Sequence, residues 1–238
     1  MYQITIGAEK CRSNWIGLIG RKIRPIIKNS GVMIVEEASD RIFLGVGTNG
    51  SNFNDEIYGI LFNFFLKDLK EEYLYSHIKR YAINEYLVRV YVKVLNLFNT
   101  EEEKEILNKC FCLYSNFSLD GFYKFRLKKL KEKWHDLVLL SANNVDLLCN
   151  DYSMTVLIKH LLACLPTVCD SVNVDYLSGE YQLSFSDGEV VSVQNKDDVV
   201  MLIIDHLPDC VHLSNICAKN GVSEQITSIF DVKYVQFI

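Results

Sequence analysis

At Pro166 the hydrophobic period of this chain changes from helical to twofold, and that change limits the folds open to it. Upstream, positions 55–99 hold no proline and a single glycine, Gly59, the composition of a long helical region. Downstream, polar and apolar residues alternate with the twofold period of strands. Segments 171–177, 180–186 and 189–194 form a three-stranded meander, with Ser178-Gly179 and Asp187-Gly188 as its turns. Beyond it the pattern predicts a helix over 196–207, a strand over 210–213, a short helix over 223–230 and a last strand over 232–237.

The first fifty residues make a small α/β unit. A strand covers 2–6, a helix 11–28 and two further strands 32–35 and 42–46. Trp15, Leu18, Ile19, Ile23, Ile26 and Ile27 recur at helical spacing, and Pro25 is expected to kink or end that helix. So long a region as 55–99 is expected to break near 67–72. Thr100 and Glu103 read as a capping box opening a helix to about Cys112. Ser118 is an N-cap, with Asp120 complementing the dipole of a run that continues to about Leu148. A further helix starts at Asp151 or Ser153. The expected class is therefore α+β: an N-terminal α/β unit over 1–50, a helical region over 51–166 and a C-terminal α+β unit over 167–238.

With 238 residues, 49% hydrophobic and 23% charged, the chain can bury a substantial core. Its formal net charge of -5 gives no general attraction to nucleic acid or anionic membrane. A nucleic-acid partner is possible but not favoured. The first residues lack a signal-peptide pattern, and the longest apolar stretch, 57–66, is interrupted by Asn63, so no transmembrane segment and a cytosolic location are expected. Eight cysteines without a secreted-framework rhythm suggest buried thiols rather than disulfides.

Few residue groups resemble chemistry. His206, Cys210, His212 and Cys217 are potential metal ligands, but their spacing matches no finger or ribbon. They support only an alternative reading, a metal-dependent, hydrolase-like enzyme with its site in the C-terminal unit. Acids of the meander (Asp175, Glu180, Asp187, Glu189) could gather at one end of the sheet, although turn solubility explains them equally. Gly45-x-Gly47-x-x-Gly50 matches a dinucleotide fingerprint as a string, yet no second strand follows its helix, so a turn is the better reading. In Cys110-Phe111-Cys112, a continuing helix would send the thiols to different sides. No catalytic residue, cofactor or metal is assigned.

The stretch 116–131 is the most informative. On a single helix Leu119, Tyr123, Leu127, Leu130, Trp134 and Leu137 form one apolar stripe. Lys124, Lys128 and Lys131 lie beyond its edge, while Arg126 projects within or beside it and must snorkel out or meet a buried acid. A solvated lysine face is the plain reading. The sharper one is a docking surface for an unknown protein or anionic partner, using Lys124, Arg126, Lys128 and Lys131 with Phe122 and Phe125.

An acid followed by Gly-Phe, two residues and Phe-Arg-Leu, here Asp120 to Leu127, resembles the YtxC-like family of sporulation proteins. The helix junction 97–107 is similar to that family's, as is Leu207-Pro208 with the strand bearing His212. Asp120 stands where the family has Glu, and Lys129-Leu130 interrupts its usual continuation. The resemblance spans about the last two-thirds of the chain. It implies a role connected with endospore formation and no particular reaction.

Overall fold

A computed structural model describes residues 2–27, 30–49, 53–214, 221–230 and 235–237. The chain is α+β and divides into two compact units, each discontinuous in sequence: 1–72 with 99–136, and 73–98 with 137–238. The boundaries expected at 50 and 166 do not coincide with these. The helical region expected over 51–166 is divided between the two units rather than set apart from them.

The first unit is built on strands β1 (Tyr2–Glu9), β2 (Gly31–Ala38), β3 (Arg41–Thr48) and β4 (Asn116–Ser118), in the order β2-β3-β1-β4. β1 and β2 both run antiparallel to β3, and β4 pairs in parallel with β1. Ile4, Ile6 and Ala8 alternate on one face with Leu44 and Val46, all buried. Helix α1 (Ser13–Ile27) lies against that face. It turns Trp15, Ile16, Ile19 and Ile23 inward, and Pro25 falls in its last turn, just before it stops. Gly45 and Gly47 lie within β3, which is antiparallel to both neighbours, so they belong to no βαβ phosphate loop. Gly50 lies outside the described residues.

Helix α2 (Phe53–Asn63) runs through a π-helical segment, Phe64–Asp68, into α3 (Leu69–Ile78). The break expected near 67–72 is thus a widened turn rather than a stop. A π turn rotates the following residues, which puts Phe64, Phe65, Leu66, Leu69 and Lys70 all into buried positions. The chain leaves helix only at 82–84, where Asn84 accepts a cap bond from the Leu87 amide of α4 (Glu85–Leu97).

Helix α5 (Thr100–Cys110) starts one residue earlier than a Thr100 cap would require. Asn99 is its N-cap, at φ 61° and without a side-chain cap bond. Glu103 therefore closes no capping box. It is fully buried against Lys70, with Oε2 2.9 Å from the ammonium nitrogen. Burial raises the pKa of Glu103 to about 7 and outweighs Lys70 and the Trp134 indole N–H, which favour the ionised form. Burial lowers that of Lys70 against the pull of Glu103.

The second unit carries β5 (Cys169–Leu177), β6 (Glu180–Phe185), β7 (Val190–Val193), β8 (Pro208–Leu213) and β9 (Val235–Phe237), in the order β7-β6-β5-β8-β9. The expected antiparallel meander is β5-β6-β7. Its first turn has both central residues left-handed, Ser178 at φ 54° and Gly179 at φ 91°. The second is longer. The Gly188 amide donates to the Phe185 carbonyl at 3.0 Å, and the Phe185 amide to that of Glu189 at 2.9 Å. Helix α10 (Lys196–His206) packs its buried Val199, Val200, Ile203 and Ile204 in this unit, against β6 and β7. Helices α8 (Val145–Leu148), α9 (Asp151–Ala163) and α11 (Val222–Ile229) complete it. No helix among the described residues is long and apolar enough to cross a membrane.

Candidate functional site

The helix expected from Ser118 to Leu148 is interrupted. α6 (Leu119–Phe125) ends at Arg126, whose amide donates to the Phe122 carbonyl at 2.8 Å, and α7 (Lys128–Asn143) begins after Leu127. The reason lies in the wheel itself. A continuous helix would set Arg126 between Leu119 and Phe122, inside the apolar stripe. The interruption lets Leu127 reach a fully buried position, followed by Leu130 and Trp134, while Arg126 emerges exposed. Among the described residues Arg126 therefore has no buried acid as partner. The inward position expected of Leu137 passes to Val138, which is buried.

The residues of the Gly-Phe and Phe-Arg-Leu pattern each have a physical task. Ser118 caps α6 by accepting the Gly121 amide at 3.2 Å. A Cβ on residue 121 would come within 2.9 Å of that same hydroxyl oxygen, so glycine fits where a larger residue crowds the cap. Asp120 does more than complement the helix dipole. It is buried and takes a 2.9 Å ion pair from Arg41 of β3. Burial alone would raise its carboxyl pKa, but the Arg41 hydrogen bond and charge carry it below the ordinary value.

Phe122 points into a ring cluster with Phe65, Phe111 and Phe117, at centroid distances of 4.8, 5.4 and 5.4 Å. It is no longer available as a docking ring, because burying it is what fastens α6 to the unit. Phe125, three residues on, is 80% exposed. The lysines also differ from one another. Lys124 is paired with Glu9, whose hydrogen bond raises its pKa. Lys131 sits 4.8 Å over the Tyr123 ring and donates to the Lys124 carbonyl at 3.4 Å. Lys128 is 83% exposed, with Glu132 4.0 Å away.

Beside the ring cluster opens a cleft of about 600 Å³. Phe117 and Phe122 supply its buried apolar lining, and Tyr114 and Phe125 are its exposed rings. Lys109 and Arg126 bring two positive charges, and no carboxylate is among the lining residues. Neither cation forms a salt bridge to a described residue. Of the six residues expected at a docking surface, the cleft takes Arg126, Phe125 and the buried side of Phe122. Lys124, Lys128 and Lys131 are not in its lining. Lys109 and Tyr114 do line it and were not expected. No sequence signal marked them: Phe111 keeps helical spacing from Leu107, and only the structure ends the helix at Cys110, with Phe111 extended and turned inward.

No family model, no curated protein and no solved structure matches the chain.

Among the described residues, no three His, Cys, Asp or Glu side chains are grouped so as to hold a metal ion. His206 stacks on Phe185 at 3.8 Å, its Nδ1 lies 2.9 Å from the Leu202 carbonyl and its Nε2 3.3 Å from Glu189. Burial, aided by Asp209, raises the pKa of the Cys210 thiol. Cys210 and His212 do share a strand face, opposite Ser171 and Asn173, but His206 has its own partners, and Cys217 lies outside the described residues. The cysteines were expected to be buried. Instead Cys11, Cys112, Cys149 and Cys164 are exposed, and Cys110, Cys169 and Cys210 are half-buried; all seven are free thiols.

Proposed function

We propose that this is a non-enzymatic binding protein that docks an acidic segment of a protein partner in the cleft of its first unit, in a role connected with endospore formation. The observation that supports it is the pairing of two cations, which meet no acid among the described residues, with two exposed rings around a carboxylate-free cleft. Surface cations usually have acids nearby, as Lys104 and Lys133 do with Glu101 and Glu102 at 2.7 Å each. Arg126 offers a planar fork that meets a carboxylate with two hydrogen bonds, and Lys109 adds a point charge. Phe125 and Tyr114 give broad contact area with few rotors to immobilise. The link to spore formation rests on the resemblance carried by residues 120–127. The net charge of -5 opposes a densely charged nucleic-acid backbone more than a short acidic segment.

The test is fluorescence anisotropy with labelled acidic peptides that carry an aromatic residue beside their carboxylates. Saturable binding is expected, weakened roughly ten-fold or more by Arg126→Glu or Lys109→Glu with no loss of thermal stability, and less by Lys128→Glu. Binding indifferent to both cleft charges, or tighter binding to single-stranded DNA than to every peptide, would overturn the proposal.

A further inference from the structure

Helix α5 ends at Cys110, and the next residue, Phe111, is extended at φ -90° and ψ 115°. Phe111 is buried in the ring cluster. An extended residue sends its neighbours' side chains to the side away from its own, and Cys110 and Cys112 both line the cleft beside Lys109 and Arg126. A continuing helix would have separated the two thiols. Two residues apart, their Cα atoms are separated by at most about 7 Å, close to the span of about 4.4–6.8 Å that a disulfide bridges.

The thiols are unequal. Cys112 is exposed, whereas Cys110 is half-buried and donates to the Leu107 carbonyl at 3.5 Å. Burial raises the pKa of Cys110, with Arg126 pulling the other way. Accessibility makes Cys112 the attacking group and Cys110 the one that follows. The exposed cysteines elsewhere have different surroundings. Cys11 lies 3.8 Å from the Glu9 carboxylate, which repels anions, and Cys149 donates to the Tyr81 carbonyl at 3.1 Å.

We propose that Cys110 and Cys112 are a reversible dithiol–disulfide pair, closed by exchange with an anionic low-molecular-weight disulfide that Lys109 and Arg126 hold. In the first step the Cys112 thiolate attacks one sulfur of that disulfide. Its S–S bond breaks, a mixed disulfide forms on Cys112, and the departing thiolate takes up the proton Cys112 gave up. In the second, Cys110 attacks the Cys112 sulfur and expels the second small thiol, which leaves protonated. The two protein sulfurs are oxidised and one small disulfide is reduced to two thiols. Anion selection rests on the docking reading, since it uses the same cations; bond formation between the cysteines does not.

The reduced full chain is incubated separately with oxidised glutathione, which is anionic, and with cystamine, which is cationic, then acid-quenched and mapped by mass spectrometry. The peptide spanning 110–112 should lose two hydrogen masses. Glutathione disulfide should react roughly ten-fold faster than cystamine, from electrostatic attraction, and the Lys109→Gln/Arg126→Gln double variant should bring the ratio near one. Cys110→Ser should trap glutathione on Cys112, and Cys112→Ser should abolish closure. Glutathione spread evenly over Cys11, Cys112 and Cys164 without closure, while the acidic peptide still binds, would overturn the disulfide alone. Closure at equal rates with both reagents, while the acidic peptide still binds, would overturn anion selection alone; equal rates with peptide binding also lost would overturn the docking reading as well.

Discussion

Lys70 and Glu103 are both fully buried and 2.9 Å apart, and the consequences differ for losing one or both. Glu103→Ala leaves a buried ammonium without its acid and should cost ~3–5 kcal/mol in urea unfolding. Lys70→Met with Glu103→Leu removes both charges and should be within about 1 kcal/mol of the parent, or more stable. The pair also sets a pH dependence. Between the ordinary value of 4.5 and about 7, folded Glu103 keeps a proton that the unfolded chain has released. The folded state then binds more protons, so stability falls as pH rises through that window. Unfolding titrations from pH 4.5 to 7 should show that decline and show it flattened in the double variant. Arg126 is the opposite case. It is exposed, so Arg126→Ala should change stability by no more than about 0.5 kcal/mol in thermal unfolding, although its sequence position would place it in the apolar stripe of an unbroken helix.

At the scale of elements, α6 is the shortest helix that bears on the site, at seven residues. Isolated, so short a helix is unstable. It is held by the Ser118 cap, the Arg41–Asp120 pair and Phe122 among the rings. Phe122→Ala should therefore cost ~3–5 kcal/mol, while Phe125→Ala on the same helix should leave the melting temperature nearly unchanged; the contrast is read by calorimetry. Residue 31 offers a second test. A Cβ there would approach the Gly47 carbonyl oxygen to 2.5 Å and an Ile27 methyl to 2.8 Å. Gly31→Ala should loosen the start of β2 against β3, seen as faster amide exchange along that pairing.

At the scale of the molecule, each compact unit joins chain segments far apart in sequence. The chain's own order therefore misleads about its division. A helical region over 51–166 is visible in the pattern, but periodicity records which face of a helix is buried and not which sheet or helix buries it. The same limit explains Glu103. Three consecutive acids at a helix start look like dipole partners, and only packing against residue 70 distinguishes the buried one. The meander, its first turn, the cap at Ser118 and the helix of residues 13–27 were legible because their causes are local: alternation, left-handed turn residues, a side chain reaching three residues ahead. The bearing of Arg126, the inward turn of Phe122 and the meeting of residues 109, 112, 114 and 126 around one cleft were not. They depend on a helix stopping where continuing would bury a guanidinium, and on an extended residue where periodicity alone would continue the helix. Local chemistry in the sequence determined what each segment becomes; the tertiary structure decided which cations meet an acid among the described residues and which do not, because that depends on every neighbour brought close by folding.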